Sequence, residues 1–218
     1  MGKLMMIDKT LVFEKNIDKL QFPSTTSTKF KEDLCDYFKE DFLDKKVLEI
    51  GTHHGYGTRF LSFFFKKVYT IDNSSDCISK ARKFCIDRNN IEFWEGDLYN
   101  KLVYFEVEPR EQGIMVPGIF DELPKDIDVV FIDASHLYND VIIDTINVIS
   151  KFKNPILIFD DYGAEYPVRK AVDDLIKLGL LDLDRHVGHV KGDKIKNKGE
   201  VSDYLNSYEG IICRRKSL

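Results

Sequence analysis

The sequence predicts an α/β fold: a mostly parallel central sheet with helices on both faces, closed by an antiparallel pair of strands near the C-terminal end. Three observations predict it. Five strand-length apolar runs, Lys46 to Ile50, Val68 to Ile71, Ile91 to Trp94, Val129 to Ile132 and Ile156 to Phe159, are rich in Val, Ile or Phe. Each is followed by small, polar or acidic residues and then, usually, a helical pattern, and strands alternating with helices join by right-handed crossovers into a parallel sheet. Two later runs, His186 to Val190 and Gly210 to Cys213, follow the last helical pattern without another between them, which is the order of a closing antiparallel pair.

Taken in order, residues 1–26 contain Pro23 and a Ser/Thr cluster without sustained periodicity and read as an N-terminal arm. From Ser27 to Leu43, Phe30, Leu34, Tyr37 and Phe38 recur at helical spacing, which puts one apolar stripe on a charged helix that packs on the sheet. Between Asp97 and Asp126 the chain passes Asn100, Pro109, Gly113, Pro117 and Gly118 with only short apolar pieces, longer than an ordinary connection. Residues 98–125 therefore read either as a lid over an acceptor pocket or as a surface insertion with a short helix. Beyond Tyr166, Pro167 opens a helix with Val168, Val172, Leu175 and Ile176 on one face. The Lys/Gly-rich stretch Lys191 to Glu200 reads as a mobile link between the last two strands.

The 218 residues suit one domain. Apolar residues make up 43% of the chain and charged residues 32%, enough for a core and a soluble surface. A formal charge of −5 argues against general binding to nucleic acid or anionic membranes, which needs basic surface. Cys35, Cys77, Cys85 and Cys213 are far apart in the sequence and suggest neither a zinc site nor a disulfide framework. No run is apolar for long enough to span a bilayer, and Met1 to Lys9 lacks the apolar core of a signal peptide. The expected location is the cytoplasm.

In a parallel sheet of this kind, ligands bind at the carboxyl ends of the strands. The strongest local signal is Val47 to Thr58, VLEIGTHHGYGT: an apolar strand, an acid, and a glycine-bearing turn opening a helix. Glycine allows a sharp turn and close approach of a ligand, and the helix start offers free N–H groups. Gly51, Gly55 and Gly57 do not have the G-x-G-x-x-G spacing of dehydrogenases. The stretch resembles motif I of the class I S-adenosylmethionine-dependent methyltransferases, especially small-molecule O-methyltransferases, and the resemblance implies their Rossmann-like fold. In it, Glu49, Gly51, Thr52, Gly55 and Tyr56 bind the cofactor, and His53 stands where many members have a second glycine. Asp72 ends the next strand, 23 residues after Glu49, near the interval at which an acid reaches a ribose diol. Asp97, after Gly96, is similar to the adenine-binding position of the family.

Two further strands end in Asp133-Ala134-Ser135-His136 and Asp160-Asp161-Tyr162-Gly163. If these ends are neighbours, Asp133, Asp160 and Asp161 share one rim, where three carboxylates require a cation and an all-oxygen set suits Mg²⁺. The pair of motifs resembles metal-dependent O-methyltransferases of the catechol and macrocin types, and Asp160-Asp161 is closer to the macrocin type. That resemblance covers roughly Lys46 to Ile176. It implies that Asp133 touches both cofactor and metal, and that His136, where catechol-type members carry a lysine, accepts the proton of the acceptor hydroxyl. The simpler reading makes Asp160 and Asp161 loop caps and His136 a loop histidine.

The function expected is methyl transfer from S-adenosylmethionine to a hydroxyl of a small molecule, with a sugar or polyol favoured over a catechol, and with divalent-metal assistance. Two alternatives stand beside it: methylation of nitrogen on a macromolecule, and a binding module that keeps the fold without turnover. The Asp160 to Gly163 run bears a superficial likeness to the D/N-P-P-Y motif of amino-methyltransferases, but it lacks the prolines and follows the wrong strand.

Overall fold

The computed structural model describes residues 26–38, 42–99, 101–107, 110–116, 118–190 and 208–216. Residues 1–25 of the expected arm and the expected link from Lys191 to Glu200 lie outside these. The strands are β1 (Lys46–Ile50), β2 (Lys67–Asp72), β3 (Ile91–Glu95), β4 (Lys101–Val107), β5 (Arg110–Val116), β6 (Val129–Ile132), β7 (Ile156–Phe159), β8 (Leu181–Val190) and β9 (Tyr208–Arg215). The helices are α1 (Thr28–Phe38), α2 (Tyr56–Leu61), α3 (Ser75–Phe84), α4 (Tyr138–Lys151) and α5 (Tyr166–Lys177).

Seven strands form one sheet in the order β3-β2-β1-β6-β7-β9-β8. Neighbours from β3 to β7 are parallel, β9 is antiparallel to β7, and β8 is antiparallel to β9. The expected Rossmann-like architecture is therefore present, with its closing antiparallel pair. Ile50 of β1 pairs with Ile71 on one side and Ile132 on the other, and Ile132 pairs with Phe159. The carboxyl ends of these four strands are thus level. The chain runs outward from β1 through β2 to β3 and resumes on the other side at β6, so the loops after β1 and β6 flank the switch point where such sheets open a crevice.

The period-2 pattern of the strands divides the core between two faces. Leu48, Ile50, Val130, Ile132, Leu157 and Phe159 point to one, where they pack with Val141 and Val148 of α4 and Ala171 and Leu175 of α5. Val47, Val68, Val129, Phe131, Ile156 and Ile158 point to the other, with Phe30, Leu34 and Phe38 of α1 and Phe60 and Leu61 of α2. The two faces explain why the middle strands read as continuous apolar runs.

The insertion contains a strand pair that its sequence did not suggest. It is an antiparallel hairpin of β4 and β5, with Lys101 opposite Val116 and Val107 opposite Arg110, followed by a 3-10 turn at Phe120–Glu122. Ile119 N donates to Asp97 O at 3.1 Å and Phe120 N to Leu98 O at 2.9 Å, so the excursion returns to where it left, beside Asp97. A Cβ on Gly118 would lie 2.3 Å from the Tyr99 carbonyl carbon, and only glycine permits that approach.

At the opposite edge, Ser27 starts α1 by accepting Phe30 N at 3.0 Å. Its own N–H donates to Glu209 Oε1 at 2.7 Å, and its hydroxyl donates to Glu209 Oε2. Gly210 next to it has no Cβ to collide with the Phe30 ring, which would be 2.2 Å away. This is how α1 seats on β9.

Candidate cofactor and acceptor site

The turn after β1 is built on left-handed backbone at Gly51 (φ 101°), His53 (φ 45°) and Gly55 (φ 85°). A Cβ on Gly51 would stand 2.0 Å from the carbonyl oxygen of Asp133, and one on Gly55 2.9 Å from the Ala81 Cβ. Both glycines are demanded by close approach as well as by φ. The N–H groups of Gly51 and Thr52 donate to Ile71 O at 3.0 and 3.2 Å, which fixes the turn against the end of β2.

Asp72 lies at that end. Its Oδ2 accepts from His53 N at 2.8 Å and its Oδ1 from Ser74 N at 2.9 Å, so two backbone donors orient the carboxylate expected at the ribose. Asp97 follows β3, and its Oδ1 accepts from Asn73 Nδ2 at 3.3 Å. Gly96 N donates to Asp72 O at 3.0 Å, linking the two acid-bearing loops. The structure therefore gathers Gly51, Gly55, Asp72 and Asp97 along neighbouring strand ends.

Glu49 and Thr52, both expected to contact cofactor, have side chains held inside the fold. Both are buried, at 1% and 2% exposure. Glu49 Oε2 accepts from the Thr58 hydroxyl and, at 2.6 Å, from the Thr70 hydroxyl, and Thr52 Oγ1 lies 2.6 Å from Thr70 Oγ1. Burial pushes the Glu49 carboxyl up to about 7, against the lowering effect of the two threonines. These side chains brace the turn from beneath. Tyr56 turns its ring edge-on to Phe84, with centroids 4.7 Å apart. His53 and His54 stack on each other at 4.0 Å.

The acidic rim lies on the other side of the switch point. Asp133 N donates to Ile50 O at 2.9 Å and Asp160 N to Ile132 O at 3.2 Å, so β1, β6 and β7 deliver the two motifs side by side. Burial pushes the Asp133 carboxyl well above the usual carboxylate range, with Asp161 and Glu49 adding to the effect. Burial does the same to Asp160, with Asp133, Asp161 and Glu209 adding. Asp160 Oδ1 is buried without a hydrogen-bond partner. Such carboxylates are stable together only when protonated or when a cation neutralises them, so the rim fits a cation.

One oxygen from Asp133, one from Asp161 and one nitrogen of His136 lie within 4.8 Å of one another. His136, and not Asp160, completes that group. Its Nε2 is 2.9 Å from Asp161 Oδ2 and its Nδ1 is 4.0 Å from Glu165 Oε1. The hydrogen bond to Asp161 raises the imidazole's pKa, with the charges of Asp161, Asp133 and Glu165 acting in the same direction. The nitrogen expected to meet an acceptor proton is thus engaged with Asp161. Asp161 itself has positive φ (55°), and its carbonyl accepts from Ala164 N and Glu165 N at 3.1 and 2.8 Å, which brings Glu165 beside His136.

Residues 48–162, a little over half of the chain, match the family model of a methyltransferase domain. The chain belongs to the methyltransferase-domain family. This methyltransferase is 29% identical over 133 residues to an uncharacterised protein of Acanthamoeba polyphaga mimivirus, covering 60% of the chain and 57% of that relative. It is 35% identical over 80 residues to a protein-L-isoaspartate O-methyltransferase of Dictyoglomus turgidum, covering 36% of each. The chain therefore spans well under two thirds of the length of either curated relative. An O-methyltransferase of Bacillus cereus, solved in complex with SAH, superposes with a TM-score of 0.56 over 95% of this chain and 90% of its own at 16% identity, which shows the shared fold of the class I methyltransferases. Among the described residues, no helix of the methyltransferase is long and apolar enough to cross a membrane.

Proposed function

We propose that this methyltransferase moves the methyl group of S-adenosylmethionine to a hydroxyl of a small molecule, with a sugar or polyol as the acceptor class. The observation that carries the reading is the contact of Gly51 with the Asp133 carbonyl. It joins a family-type cofactor turn to an acidic rim at the sheet's switch point, so a donor on one side and an acceptor on the other meet there.

On this reading Asp72 takes the ribose hydroxyls and Asp97 the adenine amine, while Gly51 and Gly55 let the cofactor approach the backbone. The acceptor oxygen attacks the methyl carbon in line, the carbon–sulfur bond breaks with its electron pair going to sulfur, and the hydroxyl proton passes to water. Holding the two reactants in line lowers the barrier by making the encounter intramolecular. Asp133, Asp160 and Asp161 form the cation-holding rim, and His136 adds its nitrogen donor. When bound, a divalent cation there supplies the Lewis acidity that makes a hydroxyl easier to deprotonate. The consecutive Asp160 and Asp161, in place of Asp-Asn, favour the sugar or polyol class, and the formal charge of −5 disfavours a nucleic-acid acceptor.

The test is to incubate the protein with S-adenosylmethionine, a divalent ion and a panel of hydroxyl-bearing sugars, polyols and phenols, and to read S-adenosylhomocysteine together with product mass. Turnover that requires a hydroxyl supports the reading. Turnover confined to nitrogen-bearing or macromolecular acceptors would replace it.

A further inference from the structure

The donor set at the rim is mixed. Besides the shared 4.8 Å grouping of Asp133, His136 and Asp161, the 2.9 Å from His136 Nε2 to Asp161 Oδ2 has a meaning for metal geometry. Neighbouring ligands of an octahedral ion with bonds of about 2.1 Å are about 3 Å apart. This nitrogen and oxygen, joined here by a hydrogen bond, stand at that spacing.

Two independent features point to an ion between them. The first is Asp160, 8% exposed with its Oδ1 buried and unpartnered. A buried carboxyl next to Asp161 in sequence and without a hydrogen-bond donor is relieved by a nearby cation. The second is Glu165, whose Oε1 is 4.0 Å from His136 Nδ1. Ligand histidines are usually oriented by a carboxylate near the nitrogen that does not bind the ion. The loop carrying His136 is itself fixed, since Ser135 Oγ donates to Asp140 Oδ2 at 2.5 Å and accepts from Leu137 N at 3.3 Å.

We propose that the rim binds a first-row transition ion of the Mn²⁺ to Zn²⁺ series through Asp133, His136 and Asp161, with Asp160 as a nearby counter-charge, in preference to the Mg²⁺ that an all-oxygen set would select. Imidazole nitrogen suits these ions, whereas Mg²⁺ takes oxygen ligands. This inference rests on the cation reading above and specifies the ion and its nitrogen ligand.

The test uses metal-free protein titrated by calorimetry with Co²⁺ and, separately, Mg²⁺, and pulsed electron paramagnetic resonance of the Mn²⁺-loaded protein. The His136 side chain is 45% exposed, so His136→Ala leaves the core intact. The variant is expected to lose about tenfold or more in Co²⁺ affinity with little change for Mg²⁺. Nitrogen modulation in the Mn²⁺ spectrum is expected in the wild type and not in His136→Ala. Asp161→Asn is expected to weaken both ions. An unchanged ratio of Co²⁺ to Mg²⁺ affinity in His136→Ala, or no nitrogen modulation in the wild type, would overturn the nitrogen ligand while leaving a carboxylate-bound cation. No binding of either ion at millimolar concentration would overturn the cation reading itself, and this inference with it.

Discussion

The Asp133 carbonyl oxygen occupies the space where Gly51 would carry a Cβ, 2.0 Å from that position. Gly51→Ala must therefore push apart the turn after β1 and the end of β6, at a φ of 101° that alanine disfavours. We expect a loss of about 2–4 kcal/mol in stability, read by urea unfolding, together with loss of cofactor binding.

Asp72→Ala leaves the N–H groups of His53 and Ser74 without their acceptor. A stability loss of about 1–2 kcal/mol is expected. Affinity for S-adenosylmethionine, measured by calorimetry, should fall by about tenfold or more, because a ribose contact is lost as well. Equal affinity in wild type and variant would remove Asp72 from the cofactor site.

Glu209 accepts from Ser27 N, from the Ser27 hydroxyl and, at 3.3 Å, from His189 N. Glu209→Ala orphans these donors in a buried place (6% exposure), and a cost of about 2–4 kcal/mol is expected. Hydrogen exchange should rise first in α1, whose attachment depends on this latch. Protection of α1 at wild-type levels would show that its apolar face alone seats it.

Asp144, on α4, is buried at 7% exposure, and burial pushes its carboxyl up to about 6. A carboxyl with a raised pKa in the fold binds its proton more tightly there than in the unfolded chain. Its stabilising contribution is complete below the unfolded value near 4 and is lost as pH rises through about 6. Asp144→Asn is expected to flatten the stability profile between about pH 4 and 6 and to gain about 2–3 kcal/mol near pH 7. Thermal melts across that range measure it, and parallel profiles for the two proteins would contradict it.

Strand positions were legible because burial on both faces forces continuous apolar runs: Val129 to Ile132 is β6 and Ile156 to Phe159 is β7. The acids at strand ends were legible for a similar reason, since Asp72, Asp133 and Asp160 each follow such a run. What local pattern could not show is how side chains are used. Glu49 looks like a ligand in sequence, yet Thr58 and Thr70 take it up inside the fold. Asp160 and Asp161 are adjacent in sequence, but the left-handed backbone at Asp161 sends one carboxylate to His136 and leaves the other buried. Glu165 gave no signal because its relation to His136 depends on that turn, and Glu209 gave none because its partner Ser27 is 182 residues away. The β4–β5 pairing was obscured by Gly113, which reads as a breaker although it pairs with Tyr104 within the ribbon.

The most direct test of cofactor use is calorimetric titration of the folded protein with S-adenosylmethionine and with S-adenosylhomocysteine. A single saturable site for each, accompanied by a rise in melting temperature as bound ligand stabilises the native state, is the result expected. A protein that is folded by circular dichroism yet gives no binding heat and no thermal shift with either ligand at millimolar concentration would contradict it.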